Sequence, residues 1–231
     1  MKKRKKINNN KFRIMKQLKY KIKISTKLTL LSGLHIGGGD SGIEIGGIDS
    51  QVIKIGTKEM QPYIPGSSLK GKMRCLLEQI YGIDEIGGGD NPEKGEKCKD
   101  INNLFGYSKD NMPSKIIVRD SYLTDKSVKL LKNCDLDMPF TESKSENSIK
   151  RVEGTANNPR LIERVPAGVS FNVEFIINVW DNDDEKKLID LLKEGIKAIE
   201  NDYLGGSGSR GYGQVKFEGF IEEQITFNNI K

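Results

Sequence analysis

Asp40 is the one carboxylate inside the glycine-rich run Ser32-Gly-Leu-His-Ile-Gly-Gly-Gly-Asp-Ser-Gly42. Backbone free of bulky side chains lets a metal ion or a substrate reach an acid, although Asp among glycines also makes an ordinary turn. His35, at the end of an apolar run, reads more as a structural histidine than as a base. A second constellation is cationic. Gly66-Ser-Ser-Leu-Lys-Gly-Lys-Met73 copies the phosphate loop G-x-x-x-x-G-K, but Met73 replaces the Ser or Thr that would hold Mg²⁺. Pro62 and Pro65 stand where a hydrophobic strand should lead in, so ATPase chemistry is excluded. What survives is a helix start with free N–H groups and with Lys70 and Arg74 one turn apart. That suits a nucleic-acid backbone, but on these residues alone a solvated basic face is the better-supported reading.

A third stretch is Asp202-Tyr-Leu-Gly-Gly-Ser-Gly-Ser-Arg-Gly-Tyr-Gly-Gln-Val-Lys-Phe217. Five glycines (Gly205, Gly206, Gly208, Gly211 and Gly213) surround Arg210 within nine residues. Gly206 to Gly211 spells G-x-G-x-x-G, but a helical pattern precedes it and a strand follows, the reverse of a dinucleotide site. Arg210 to Phe217 matches the RNA-recognition signature K/R-G-F/Y-G/A-F-V-x-F/Y everywhere except Gln214. The plainer alternative is a glycine turn entering a last strand. Lys150, Arg151, Arg160 and Arg164 lie together in the segment 137–168, which is too long for an ordinary connection.

The elements that must position these groups follow from periodicity. Lys19 to Leu31 alternates polar and apolar residues as a half-buried strand with lysines on its polar face. Glu44 to Ile55 is broken by Gly46 and Gly47 and reads as a small hairpin. Pro65 and Ser67–Ser68 start a helix whose stripe is Leu69, Met73, Leu76, Leu77 and Ile80. Residues 82–103 lack periodicity and read as a loop. Ile116 to Leu123 and Val169 to Trp180 are strand-like, and Asp183 to Glu200 is an amphipathic helix. Gln214 to Phe220 is the last strand. Strand, helix, strand, strand, helix, strand is the βαββαβ order of an α+β, ferredoxin-like or RNA-recognition-like fold. Its antiparallel sheet has helices on one face and leaves the other free for a ligand.

Charge is unevenly placed. Residues 1–23 hold eleven of the 38 Lys and Arg and no acid, which leaves 27 bases against 32 acids in the rest. A nucleic-acid surface on that body must be a local patch. The expected organisation is a disordered basic arm at 1–16 and one domain over 17–231, with insertions at 32–66, 82–115 and 137–168. No apolar run is long enough to cross a membrane, and no secretory signal follows the basic start. Cys75, Cys98 and Cys134 are odd in number and widely spaced, which argues for a reducing cytoplasm. Their spacing relative to His35 gives no support for a zinc site.

Four ordered motifs carry a resemblance: Leu31-Ser-Gly-Leu-His-Ile-Gly-Gly-Gly-Asp40, Ile64-Pro-Gly-Ser-Ser-Leu-Lys-Gly-Lys-Met-Arg74, Ala156-Asn-Asn-Pro-Arg-Leu-Ile-Glu-Arg164 and Asp202 to Gly213. Together, from residue 19 to about 222, they resemble the backbone RAMP subunits of type III-A CRISPR (Csm) effector complexes. The resemblance implies a modified RNA-recognition fold with a thumb hairpin at 137–168. It also implies copies stacked along a CRISPR RNA (crRNA), with each thumb wedged into the guide–target duplex. The partners would be crRNA, target RNA, further copies of the chain and other Csm subunits, with no membrane. Asp40 would be the catalytic residue and transient ligand of Mg²⁺ or another divalent cation in target-RNA cutting. RNA contacts would fall to His35, Ser68, Lys70, Lys72, Arg74, Lys150, Arg151, Arg160, Arg164, Gly206, Ser207, Gly208 and Arg210. Base stacking is not carried over to Tyr212, because the last strand is not the aromatic one in ordinary RNA-recognition domains. Two alternatives stay open: a non-catalytic RNA-binding scaffold, and a metal-independent RAMP endonuclease that processes precursor crRNA.

Overall fold

Ile22, Ile24, Thr26, Leu28 and Leu30 alternate along β1 (Leu18–Leu30), and all five are buried. Side chains two apart on a strand share a face, so this alternation gives the sheet one apolar side and one side bearing Lys21, Lys23 and Lys27. In the computed structural model, which describes residues 17–39, 48–83, 96–108 and 111–227, β1 lies between β8 (Ser170–Trp180) and β9 (Val215–Thr226). Both pairings are antiparallel, with Ile24 opposite Phe175 and Leu28 opposite Phe171 and Phe217. Beyond β8 come β5 (Ser121–Leu123), β3 (Gln61–Ile64) and the short β2 (Lys54–Ile55), while β4 (Ile116–Val118) also pairs with β8.

Two helices cover the apolar side. α1 (Gly66–Ile80) contributes Leu69, Met73, Leu76 and Leu77, and α4 (Glu185–Glu200) contributes Leu188, Leu191, Leu192, Ile196 and Ile199. The Asp184 side chain caps α4 by accepting from Lys187 N–H. The chain thus has the expected βαββαβ frame. A separate hairpin of β6 (Glu142–Ile149) and β7 (Ala156–Arg164) rises from the insertion at 137–168. Among the described residues no helix is long and apolar enough to cross a membrane.

Two local expectations differ, and one helix forms where no element is expected. Within 82–103, read as loop, α2 (Glu96–Phe105) forms, and it buries Cys98, Ile101, Leu104 and Phe105. Polar Lys99, Asn102 and Asn103 between them hide the helical period. A further helix, α3 (Asp125–Asn133), is capped by Thr124, whose hydroxyl accepts from Ser127 N–H at 3.2 Å. The strand read over Ile116 to Leu123 breaks into β4 and β5 at Arg119–Asp120. The Asp120 carboxylate accepts from Gly66 N–H at 2.8 Å, at the start of α1. The arm at 1–16 lies outside the described residues, as do Asp40 and most of the first half of the hairpin expected at Glu44 to Ile55.

Candidate nucleic-acid interface

Where β1 ends, its continuation zips onto the glycine loop that precedes β9. Leu31 N–H donates to the Gln214 carbonyl at 2.8 Å, Gly213 N–H to the Gly33 carbonyl at 2.9 Å, and Gly206 N–H to the His35 carbonyl at 2.8 Å. Glycine is required at two of these contacts. A Cβ on Gly213 (φ +73°) would stand 1.9 Å from the Leu204 carbonyl oxygen, and one on Gly205 (φ +78°) would stand 2.3 Å from the His35 carbonyl oxygen. The two glycine segments, far apart in sequence, therefore form one seam.

The base of the hairpin closes the same seam. Leu34 and Val165 exchange backbone hydrogen bonds of 2.9 and 2.8 Å. Residues 49–53 run between the first glycine segment and β7. Ile53 N–H donates to Ile36 O at 2.8 Å on one side, and Glu163 N–H donates to Ser50 O at 3.0 Å on the other. The described residues on either side of 40–47 are thus anchored, and Asp49 lies just past that stretch. This acid is exposed, and its Oδ2 accepts from Leu161 N–H at 2.7 Å.

A buried polar cluster locks the junction. Glu163 is fully buried, and its carboxylate accepts from Val52 N–H at 2.9 Å and from the Thr141 hydroxyl at 2.6 Å and pairs with Lys54. Enclosed carboxylates persist only when paired and hydrogen-bonded in this way. His35 is 8 % exposed. Its Nδ1 lies 2.6 Å from the Glu163 carbonyl, so Nδ1 is the protonated nitrogen and donates, while Nε2 lies 3.1 Å from the Ser50 hydroxyl. Both ring nitrogens are engaged within the protein, and the histidine fastens the seam.

The cations divide into two groups. At the seam, Arg210 Nε lies 2.8 Å from Glu146 Oε2, and Arg164 Nε lies 2.7 Å from Glu142 Oε1. Lys144 Nζ stands 4.5 Å from the centroid of the Tyr212 ring, and Arg164 lies over the same ring at 5.3 Å. Tyr212 is buried, and that burial, helped by the Glu146 carboxylate, pushes its phenol up to about 12. Gly206, Ser207 and Gly208 belong to this loop, where the Ser207 hydroxyl accepts from Arg210. Lys72 borders it, 2.6 Å from Asp202 and over the Tyr203 ring at 3.7 Å. Lys150, Arg151 and Arg160 are exposed further out along the hairpin, and Lys150 pairs with Glu153 at the turn.

The remaining α1 residues point elsewhere. Lys70 donates to the Ser114 hydroxyl at 2.7 Å, and burial, with Arg74 adding to it, lowers its ammonium below the usual lysine range. Arg74 spends its guanidinium on Glu78 (2.7 Å), the Gly106 carbonyl (2.9 Å) and Asn102 (3.1 Å), which ties α1 to α2. Ser68 sits half-buried in the first turn, where Asp120 already supplies the anion that a helix start attracts. Asp49, Glu163, Glu142, Glu146 and Lys144 were not singled out by the sequence. For Asp49 a signal was present. Gly46-Gly47-Ile48-Asp49 repeats, nine residues on, the glycines-then-acid pattern around Asp40.

The RAMP superfamily model matches residues 27–216, from within β1 into β9. A Streptococcus thermophilus protein named CRISPR system Cms endoribonuclease Csm3 is 42% identical over 210 residues, 86% of this chain and 87% of that one. The chain belongs to the RAMP superfamily and its Csm3 family. A Csm3 of the same name from Methanothermobacter thermautotrophicus is 40% identical over 84% of this chain and 82% of its own length. Among solved structures, a Csm3–Csm4 subcomplex of the type III-A CRISPR-Cas interference complex aligns with TM-score 0.57 and 30% identity. That alignment covers 91% of this chain and 82% of the other. A type III-B Cmr-beta complex bound to cognate target RNA aligns with TM-score 0.61 at 16% identity, over 90% of this chain and 61% of that one, a likeness of fold.

Proposed function

We propose that this chain is a crRNA-binding backbone subunit of a type III-A CRISPR-Cas interference complex, and that it cuts guide-complementary target RNA at regular intervals. The observation that carries this reading is the match, over 84–86% of this chain, to Csm3 proteins named endoribonucleases. The partners would be crRNA, target RNA, further copies of the chain and other Csm subunits. The seam suits the task, because Arg164 and Arg210 stand as cations beside close-packed glycine backbone. The hairpin turn exposes Ile149 and Val152 next to Lys150 and Arg151. Apolar tips flanked by cations are suited to enter between stacked bases while neutralising phosphates.

RNA carries its own nucleophile, the 2′-hydroxyl, so the protein has mainly to splay the strand and stabilise charge. The carboxylate would come from the stretch of sequence between Asp40 and Asp49. Asp49 itself is held against β7 and exposed, and Asp40, nine residues earlier in the sequence, lies outside the described residues. Among the described residues no three His, Cys, Asp or Glu side chains form a metal-binding group. One exposed carboxylate still fits Mg²⁺, which keeps most of its waters. When bound, the ion would supply charge stabilisation at the cut phosphate.

The test is to map the products of end-labelled target RNA after incubation with the assembled complex. Evenly spaced cuts confined to the guide-complementary stretch are expected. A complex that holds this RNA and leaves it whole would overturn the reading in favour of a scaffold.

A further inference from the structure

Glu146 is an acid set among cations. Its Oε2 lies 2.8 Å from Arg210 Nε, Lys144 Nζ stands 3.6 Å from its Oε1, and Arg160 is its cross-strand partner on β7. The side chain is only 15% exposed, and Oε1 is buried with no hydrogen-bond partner among the described residues. Glu142, four residues earlier on the same face of β6, holds Arg164 in the same manner. Two of the arginines assigned to RNA are thus already engaged by carboxylates of the hairpin.

A carboxylate in this position has two opposite effects on a phosphate. It keeps the Arg210 fork extended and aimed, which lowers the entropy lost on binding. It also offsets part of the positive charge and repels a polyanion that arrives with few other contacts. We propose that Glu146 is a specificity-determining counter-charge, which holds Arg210 ready and weakens the seam for RNA that binds there alone. RNA engaged along the rest of the interface would replace Glu146 as the partner of Arg210. This proposal rests on the RNA-binding reading above. The competing possibility is that Glu146 only staples the hairpin to the glycine loop.

The experiment measures binding of a short fluorescent oligouridylate to the purified full chain by anisotropy over a salt series. Glu146→Gln is expected to tighten binding about fivefold. The slope of log K against log salt should steepen by about 0.7, the value for one more phosphate neutralised on a single strand. Glu146→Asp, which keeps the charge, should stay at the wild-type value. The gain should vanish in Glu146→Gln combined with Arg210→Gln. Glu146→Thr, compatible with a strand, is the second variant should the glutamine form fail to fold, with the same expectation. Unchanged or weaker binding in the neutral variants, with Arg210→Gln alone still weakening it, would make Glu146 a staple and leave the RNA reading standing. If Arg210→Gln did not weaken binding, the RNA interface itself would be wrong and the proposal would go with it.

Discussion

Asp49 and Leu161 exchange two hydrogen bonds: Asp49 N–H donates to the Leu161 carbonyl at 3.0 Å, and Leu161 N–H donates to Asp49 Oδ2 at 2.7 Å. The first joins the backbone at Asp49 to the hairpin, and the second fixes the carboxylate itself. Next to them Glu163 N–H donates to the Ser50 carbonyl, so loop and hairpin base share a short ladder. On the proposed reading the hairpin would enter an RNA duplex and the acid would face its backbone, and these hydrogen bonds hold the two in one frame. Fixed placement of that kind is what a reaction driven by geometry requires.

Arg74 is expected to act on stability more than on RNA. Its partner Glu78 has a side chain only 3% exposed, so Arg74→Met strands a buried carboxylate. Loss of about 3 kcal/mol is expected in urea unfolding. At a temperature where both variants stay folded, Arg74→Met should weaken RNA binding less than Arg210→Gln does.

The glycine loop offers a comparison between two nearby positions. A Cβ on Gly211 (φ +85°) would meet nothing within 4 Å among the described residues, whereas one on Gly213 would strike the Leu204 carbonyl. Gly211→Ala should cost about 1 kcal/mol, the strain of a left-handed alanine. Gly213→Ala should cost about 3 kcal/mol or more, because backbone must move as well. Urea midpoints of the two variants check the order.

Tyr212 makes a prediction in alkali. Its folded phenol titrates at about 12, above the ordinary value of 10.0, so the unfolded chain loses this proton first. Stability from this group is complete below the unfolded value and is lost as pH rises toward the folded one. Wild type should weaken between about pH 10 and about pH 12, and Tyr212→Phe should show a shallower decline over the same range. Paired urea melts at the two ends of that window measure the difference.

The frame was legible because its signals are local. The alternation in β1 and β8 and the stripes of α1 and α4 are set by burial on one sheet face, and each appears within a dozen residues of sequence. α2 escaped because Cys98, Ile101 and Leu104 are separated by polar residues, and its place is secured by Arg74 from another helix. The site was legible as glycine segments and cations, and less so as pairings. That Lys70 and Arg74 turn inward while Arg164 and Arg210 meet Glu142 and Glu146 depends on contacts between distant segments, which no spacing records. Asp49 owes its position to Leu161, 112 residues away.

The most direct measurement is cleavage of labelled guide-complementary RNA by complexes carrying wild type, Asp49→Ala or Asp40→Ala, each with Mg²⁺ and with chelator. We expect regularly spaced, metal-requiring cuts by wild type. The Asp49 variant should lose them while RNA binding is unchanged, and Asp40→Ala shows whether the acid nine residues earlier takes part. Normal cutting by both variants would contradict the assignment of the nuclease to this stretch.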